Sequence, residues 1–218
     1  MSSSRLYVAA MLVRGTPRNS DRCRGFTLVE LLTVIAIIGT LAAILIPATM
    51  SVRNSAKRAK TKVQFGQWAG AMHLFRQEYG YYPQIDGGSG GKVVPAYFAG
   101  ALTGRTLDGT TAPAVIHLSG NSRRVTFYSI SEDELNETRD ALVDAFGNTE
   151  IGVIYDKNGD DRLGLEDGTV VAVAAAGGGP SYLPSDTDLN LVTGLRAGVI
   201  FYSAGKGTTQ ADLVFSLK

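Results

Sequence analysis

Glu30 carries the one charged side chain in a long apolar run, and it is the first group in this chain whose chemistry stands out. Every other side chain from residue 26 to residue 52 is uncharged. On the mildest scale, a carboxylate at the centre of a bilayer costs about 2.5–3.5 kcal/mol. A carboxylate that is kept in such a run therefore needs a partner that offsets this cost.

A second group of polar side chains has the spacing of metal ligands. Asp156, Asn158 and Asp160 occupy the first, third and fifth positions of an EF-hand-like loop, and Asp167 occupies the twelfth. Hard oxygen ligands at this spacing suit Ca²⁺. The sixth position is Asp161 instead of glycine, however, and Asp-x-Asn-Gly is also favourable chemistry for a hairpin turn. A calcium site and a plain hydrophilic turn are both open interpretations.

The sequence offers little for catalysis. Its two histidines are His73 and His117, and no acid completes a recognisable relay with either of them. The one cysteine, Cys23, precedes the apolar run, so residues 26–218 exclude disulfides, cysteine nucleophiles and thiolate metal sites. Since no cofactor fingerprint or zinc spacing stands out either, we expect a protein that is not an enzyme.

The apolar run has the length of a membrane-spanning helix. It covers 21 positions, residues 26–46, and at about 1.5 Å per residue this matches a hydrocarbon core of about 30 Å. The apolar core of a secretory signal is shorter, about 7–15 residues, and a plain anchor explains the length but not Glu30. Residues 1–25 carry a net charge of +4 and the remainder −3. This basic flank predicts a cytoplasmic N-terminus, with the rest of the chain across the membrane.

Beyond the membrane the pattern predicts an amphipathic continuation of the helix over residues 48–80, followed by a β-rich head over residues 81–218. On the helix, small and apolar residues from Val52 to Gly70 recur at spacings of four and three, which predicts a packed face. In the head, a short helix is predicted over 132–142, capped by Ser131. Apolar runs between glycine- and aspartate-rich turns predict an antiparallel sheet with strands near 124–130, 150–155, 169–175, 198–203 and 213–217.

The run G-F-T-L-V-E-L-L-T-V-I-A-I-I-G-T-L-A-A-I-L-I-P, residues 25–47, resembles the N-terminal segment of type IV pilins and of type II secretion pseudopilins. The resemblance implies an α+β pilin fold, with a long helix packed on a small antiparallel sheet. It also implies a leader, residues 1–25, that prepilin peptidase removes between Gly25 and Phe26 before it methylates Phe26. Residues 26–47 would then form the transmembrane and assembly helix.

The same resemblance implies roles for three residues of that helix. Glu30 would pair with the N-terminal amine of a neighbouring subunit, and a buried ion pair of this kind offsets two desolvation costs. Gly39 and Pro47 stand where the family carries residues that loosen the helix. Pro47 cannot donate to the carbonyl of Ala43, so we expect a kink or local unwinding there.

The function implied is that of a structural subunit of a type II secretion pseudopilus, a periplasmic filament that drives protein export. The implied partners are prepilin peptidase, the inner-membrane assembly platform, other pseudopilin subunits and membrane lipid. The subunit would lie in the inner membrane with a periplasmic head. The alternatives are a type IV pilin for adhesion, motility or DNA uptake, and a membrane-tethered calcium-binding or adhesive module that does not polymerise.

Two further stretches resemble major pseudopilins. Residues 144–148, D-A-F-G-N, are similar to their D-P-W-G-N, and residues 202–213 are similar to their C-terminal calcium loop. By this resemblance Ser203 and Asp212 are a second candidate calcium site. The central aspartate of that loop is absent, because Lys206 and Gly207 stand in its place, so these two ligands alone would make a poor site.

Several basic residues follow the membrane segment, among them Arg53, Lys57 and Lys60. They have three possible roles. They suit anionic lipid headgroups, a solvated face, or a contact to the acidic head of another subunit. They lack the interleaved aromatic residues that base stacking uses, so we expect no specific nucleic acid.

Overall fold

A computed structural model describes residues 25–88, 90–110, 118–189 and 191–217. Their contacts divide the chain into two units, one ending at Pro47 and the other Ala48–Lys218. Helix α1, Leu28–Tyr79, has 52 residues and runs through both units. The fold is α+β, as predicted: one long N-terminal helix precedes short helices and small antiparallel sheets.

Helix α1 ends at a glycine that caps it. The backbone N–H of Gly80 donates to the carbonyl of Arg76 at 2.7 Å, and Gly80 adopts a φ of 84°, in the left-handed region that favours glycine. The backbone stays helical through residue 47, so Pro47 neither ends nor unwinds the helix in this structure. Loss of one backbone hydrogen bond is small against the many that remain in a helix of this length.

The N-terminal part of α1 is apolar and exposed on all sides. Its large aliphatic side chains, from Leu28 to Ile46, are 46–79% exposed. By length and composition, this part of the helix is suited to crossing a membrane. Such a surface is stable in lipid or against other apolar helices, where water does not surround it.

The C-terminal part of α1 buries a different face from the one predicted. Phe65, Trp68 and Phe75 are fully buried, whereas Val63 is 61% exposed and no atom of the described chain lies within 4 Å of where a Cβ on Gly70 would be. The Val52–Gly70 stripe is therefore exposed in the described chain, and the prediction that something packs closely against it stays a prediction. Aromatic side chains bury about 150–250 Å² each, so the face that carries them gains far more from contact with the head than a face of small residues.

A second helix, α2, covers this aromatic face. It comprises Pro95–Thr103 and buries Phe98 and Leu102. The ring centroids of Trp68 and Phe98 lie 4.7 Å apart, and those of Trp68 and Phe201 lie 5.5 Å apart. The core of the head is thus an aromatic contact between α1, α2 and the sheet.

The main sheet has three antiparallel strands in the order β1-β4-β5. These are β1 Ile151–Tyr155, β4 Val199–Ser203 and β5 Val214–Phe215. Strands β1 and β4 pair from Ile151 opposite Ser203 to Tyr155 opposite Val199. A smaller antiparallel pair is formed by β2 Val173–Ala174 and β3 Ser181–Tyr182.

Both faces of the main sheet are buried. Val153 and Phe201 belong to the core shared with α1 and α2, whereas Ile154 and Ile200 belong to a second core with Leu163. This alternation follows from the two-residue period of a strand. It explains why β1 and β4 consist of consecutive buried residues instead of alternating polar and apolar ones.

The strand predictions near 150–155 and 198–203 are confirmed, and those near 169–175 and 213–217 shrink to two residues each. The segment 124–130 is not a strand, because the backbone N–H groups of Phe127 and Tyr128 both donate to the carbonyl of Leu102 at the end of α2.

The helix predicted over 132–142 is only a 3₁₀ turn, Glu132–Glu134, although its predicted capping box with Ser131 is present. The chain then turns back on itself, and Leu135 bridges Leu142. The remaining short elements are a helix at Asp186–Leu189 and a 3₁₀ turn at Gln210–Asp212.

Replacing Trp68 by alanine should destabilise the head by about 3–5 kcal/mol, because it empties a fully buried site between α1, α2 and β4. Leu74→Ala on the same helix is the control, since Leu74 is 50% exposed. Hydrogen exchange of the β1 and β4 amides in the detergent-solubilised chain measures the difference. Equal protection in the two variants would show that the aromatic contact does not hold the helix to the sheet.

Candidate functional site

Glu30 caps the N-terminus of α1 together with Thr27. The backbone N–H and the hydroxyl of Thr27 donate to Oε2 of Glu30 at 2.9 and 2.8 Å, and the N–H of Glu30 donates to the Thr27 hydroxyl at 3.2 Å. This is a capping box, which satisfies backbone donors that the first helical turn leaves unpaired. The sequence analysis missed Thr27, although the T-x-x-E spacing before an apolar run signals this motif.

The residues on either side of the predicted cleavage point lie just before the helix. Gly25 and Phe26 are exposed and non-helical, and Phe26 is 76% exposed. Gly39 lies within α1 with no atom of the described chain within 4 Å of where a Cβ would be. The rest of the predicted leader, residues 1–24, lies outside the described residues.

The loop that carries the first candidate calcium ligands is closed by hydrogen bonds to its own backbone. The buried Asp156 carboxylate accepts from the N–H groups of Gly159 and Asp161, at 2.5 and 2.9 Å. Asp167, also buried, accepts from the N–H groups of Lys157 and Gly164, at 3.0 and 2.7 Å. These are the bonds of a polar turn, which satisfy the carboxylates without an ion.

The other two candidate ligands of this loop point to neighbouring backbone as well. Asn158 accepts from the N–H of Asp160, and Asp160 from the N–H of Arg162. Arg76 of α1 lies 3.6 Å from the Asp156 carboxylate and 2.5 Å from that of Asp161. Within the described ranges, no three His, Cys, Asp or Glu side chains are grouped so as to hold a metal ion. Calcium at this loop stays a prediction.

The two residues of the second candidate calcium site, Ser203 and Asp212, form hydrogen bonds with different neighbours. Ser203 donates its hydroxyl to Asp144 at 2.6 Å, and Asp212 accepts from the N–H groups of Thr208 and Thr209 at 3.0 and 2.9 Å. Burial alone would raise the pKa of Asp212, but its hydrogen bonds from both threonines hold that pKa below its usual value. Each side chain is thus committed to a different neighbour.

Asp144 and Asn148 form a buried polar clasp that the sequence indicated only by the D-A-F-G-N resemblance. Asp144 accepts from the N–H groups of Phe146 and Asn148, and from the side-chain amide of Asn148 at 2.8 Å. The Asn148 amide in turn donates to the carbonyl of Gly205 and accepts from the N–H of Ala176. The clasp therefore joins three loops beneath the sheet.

Three of the basic residues that follow the apolar segment contact the protein's own head. Nζ of Lys57 lies over the Phe146 ring, 5.7 Å from its centroid. Lys60 forms an ion pair with Asp133. Arg58 donates to the carbonyls of Ala211 and Leu213 at 3.3 and 3.0 Å. Arg53 is exposed, and the choice between lipid, solvent and another subunit for these basic residues stays open.

His73 is placed for packing instead of acid–base chemistry. Its Nδ1 lies 2.8 Å from the hydroxyl of Tyr82. Burial lowers the pKa of His73, and the nearby Arg76 lowers it further. Asp161, the carboxylate nearest in this arrangement, is paired with Arg76. His117 lies outside the described residues.

Comparison with known proteins bears on the N-terminal segment. The family described as the prokaryotic N-terminal methylation motif matches residues 20–46. The chain carries a prepilin-type segment. The Gly25–Phe26 junction, Thr27 and Glu30 all lie within this prepilin segment, residues 20–46, so the capping box belongs to the matched motif.

The similarity to curated proteins covers more residues than the 27 of the prepilin segment. The chain is 32% identical over 71 residues to type II secretion system core protein G of Escherichia coli K12, which is 33% of this chain and 49% of that protein. It is 34% identical over 64 residues to core protein G of Pseudomonas aeruginosa, 29% of this chain and 45% of that protein.

A relative with a different name is also similar. The prepilin peptidase-dependent protein D of Escherichia coli K12 is 41% identical over 75 residues, 34% of this chain and 51% of that protein. The chain thus spans about half the length of the curated relatives it matches. No solved structure matches the chain significantly.

Replacing Asp144 by alanine should cost the head at least about 3 kcal/mol, because four donors, three of them buried, lose their acceptor. At about 2–4 °C per kcal/mol for a domain of this size, the melting temperature should fall by roughly 6–12 °C. Differential scanning calorimetry measures it, with the exposed Glu137→Ala as the control. A shift no larger than the control's would mean that water replaces the clasp.

Proposed function

We propose that this chain is a pseudopilin-like structural subunit, processed by prepilin peptidase and assembled into a periplasmic filament of a type II secretion system. The observation that carries the proposal is the methylation motif at residues 20–46, which lies at the start of a long helix. Similarity to core protein G over 71 residues supports it. The similarity covers about half of those relatives, so export itself is part of the proposal.

Before assembly the subunit is held in the inner membrane by the apolar part of α1. The exposed aliphatic side chains from Leu28 to Ile46 support this, as does their suitability for a membrane span. The basic flank before residue 26 retains the N-terminus in the cytoplasm and sends the head into the periplasm. Arg53 and Lys57 then lie where anionic headgroups can neutralise them.

Glu30 joins one subunit to the next. Both hydrogen bonds that Glu30 accepts from Thr27 end on Oε2. The capping box therefore fixes the orientation of the carboxylate and leaves Oε1 pointing away from Thr27. The amine of a methylated Phe26 from a neighbouring subunit can bind Oε1 there. A buried pair of this kind is strongly destabilised when one partner is removed, by about 3–5 kcal/mol.

The work of the subunit is mechanical, and no residue acts as a catalyst. Among the described residues, Asp144 and Asp156 close loops and His73 packs against Tyr82. A type IV pilin outside secretion is the second candidate, because the relative of 41% identity is named for its dependence on prepilin peptidase and not for secretion. A tether that never polymerises is the third, and the Glu30 variant described below separates it from both.

Intact-mass spectrometry of the membrane protein, from cells with and without prepilin peptidase, tests the processing step. We expect a peptidase-dependent species that begins at methylated Phe26. A species that retains residues 1–25 in both strains, or one cut after residue 46, would contradict the proposal.

Replacing Glu30 by leucine should leave cleavage intact but reduce filaments by at least about tenfold, because the neighbouring amine loses its buried partner. Thr40→Leu is the matched control, since it also removes a polar group from the apolar helix. Electron microscopy of sheared filaments from an overproducing strain, with immunoblots of processed subunit, gives both readouts. Normal filaments in Glu30→Leu would favour an assembly that does not need this ion pair.

A further inference from the structure

The loop between β4 and β5, residues 204–213, is held at one end by its own side chains. Asp212, its single carboxylate, accepts from the N–H and hydroxyl groups of both Thr208 and Thr209 through Oδ2. These four hydrogen bonds stabilise the negative charge on Oδ2, as a bound cation would otherwise do. We call this segment the C-terminal loop.

The same end of the C-terminal loop is also held by a cation from α1. Nη1 of Arg58 donates to the carbonyl of Ala211 at 3.3 Å, and Nη2 donates to the carbonyl of Leu213 at 3.0 Å. A planar guanidinium presents several N–H donors in a fixed fork, so it can bridge two carbonyls that flank one residue. Backbone carbonyls and carboxylates are also the ligands that Ca²⁺ takes in proteins.

The charge around the C-terminal loop opposes a divalent ion. Arg58, Lys62 and Lys206 bring three positive charges, against the two negative charges of Asp188 and Asp212. A calcium ion at these carbonyls would have to displace the Arg58 guanidinium or face it at short range. Ser203, the other ligand that the resemblance implies, is committed to the buried Asp144. The donor set therefore does not fit calcium.

We propose that Arg58 is the built-in cation of the C-terminal loop, and that this loop is closed without a divalent ion. The guanidinium ties the loop to α1, and the Asp212–threonine bonds fix its shape from within. A consequence is that the attachment of the loop to the helix does not vary with the calcium concentration. This inference concerns the head alone, so it does not depend on whether the subunit forms filaments.

Limited proteolysis with endoproteinase Lys-C tests the inference on the full chain in detergent micelles, with mass spectrometry to separate the cleavage sites. Lys206 is exposed in the C-terminal loop, and Lys157 is exposed in the loop of residues 156–167. The two sites report separately on the two loops that resemble calcium sites. Cleavage is compared in millimolar CaCl₂ and in EGTA.

We expect cleavage after Lys206 in the unmodified chain to be the same in CaCl₂ and EGTA, within about twofold. Arg58→Leu should accelerate that cleavage at least about tenfold, because hydrogen bonds to a charged group contribute about 1.5–3 kcal/mol and their loss favours local opening. Arg58→Lys should fall between them, since one ammonium cannot reproduce the fork. Arg53→Leu, at an exposed basic residue of the same helix, is the control.

Calcium protection of Lys206 in the unmodified chain, by about tenfold or more, would overturn the inference. So would an unchanged rate in Arg58→Leu. If Arg58→Leu unfolds the whole head, all lysines become accessible, and the calcium comparison on the unmodified chain and on Arg58→Lys decides the matter. Protection by calcium at Lys157 alone would place an ion in the other loop and support the metal-free closure of this one.

Discussion

The head depends on the packing of aromatic rings between α1 and the sheet. Phe65 and Trp68 project from the helix onto Phe201 of β4, and Phe98 of α2 covers Trp68. Strands β1 and β4 are buried on both faces, so this part of the sheet has no solvated side. The helix is therefore part of the core, and the short strands are stable only against it.

The sequence predicted those features that are encoded locally. The apolar helix, the glycine that ends it and the two five-residue strands all follow from runs of neighbouring residues. The buried face of α1 did not, because spacings of four and three fit more than one face, and the area gained by Phe65 and Trp68 decided between them. The strand prediction for 124–130 was wrong for a similar reason, because the hydrogen bonds of this segment go to Leu102, which is distant in sequence.

The candidate sites show the same division. Thr27 could have been identified from its spacing to Glu30, whereas the partners of Asp144 and Asp212 depend on how the loops meet. In each of these loops a carboxylate accepts hydrogen bonds from the backbone N–H groups of a turn. The Asp-x-Asn pattern that suits calcium also suits such a turn. The spacing of candidate ligands alone therefore does not distinguish a calcium site from a turn whose carboxylates accept hydrogen bonds from backbone N–H groups.

Trp68 is the only tryptophan in the chain, and it lies at the contact between the long helix and the head. Its indole is fully shielded from water and surrounded by other rings. The emission of this single fluorophore consequently reports one event, the opening of the helix–sheet contact, without labelling. A change in its emission would therefore show when the head detaches from the C-terminal part of α1.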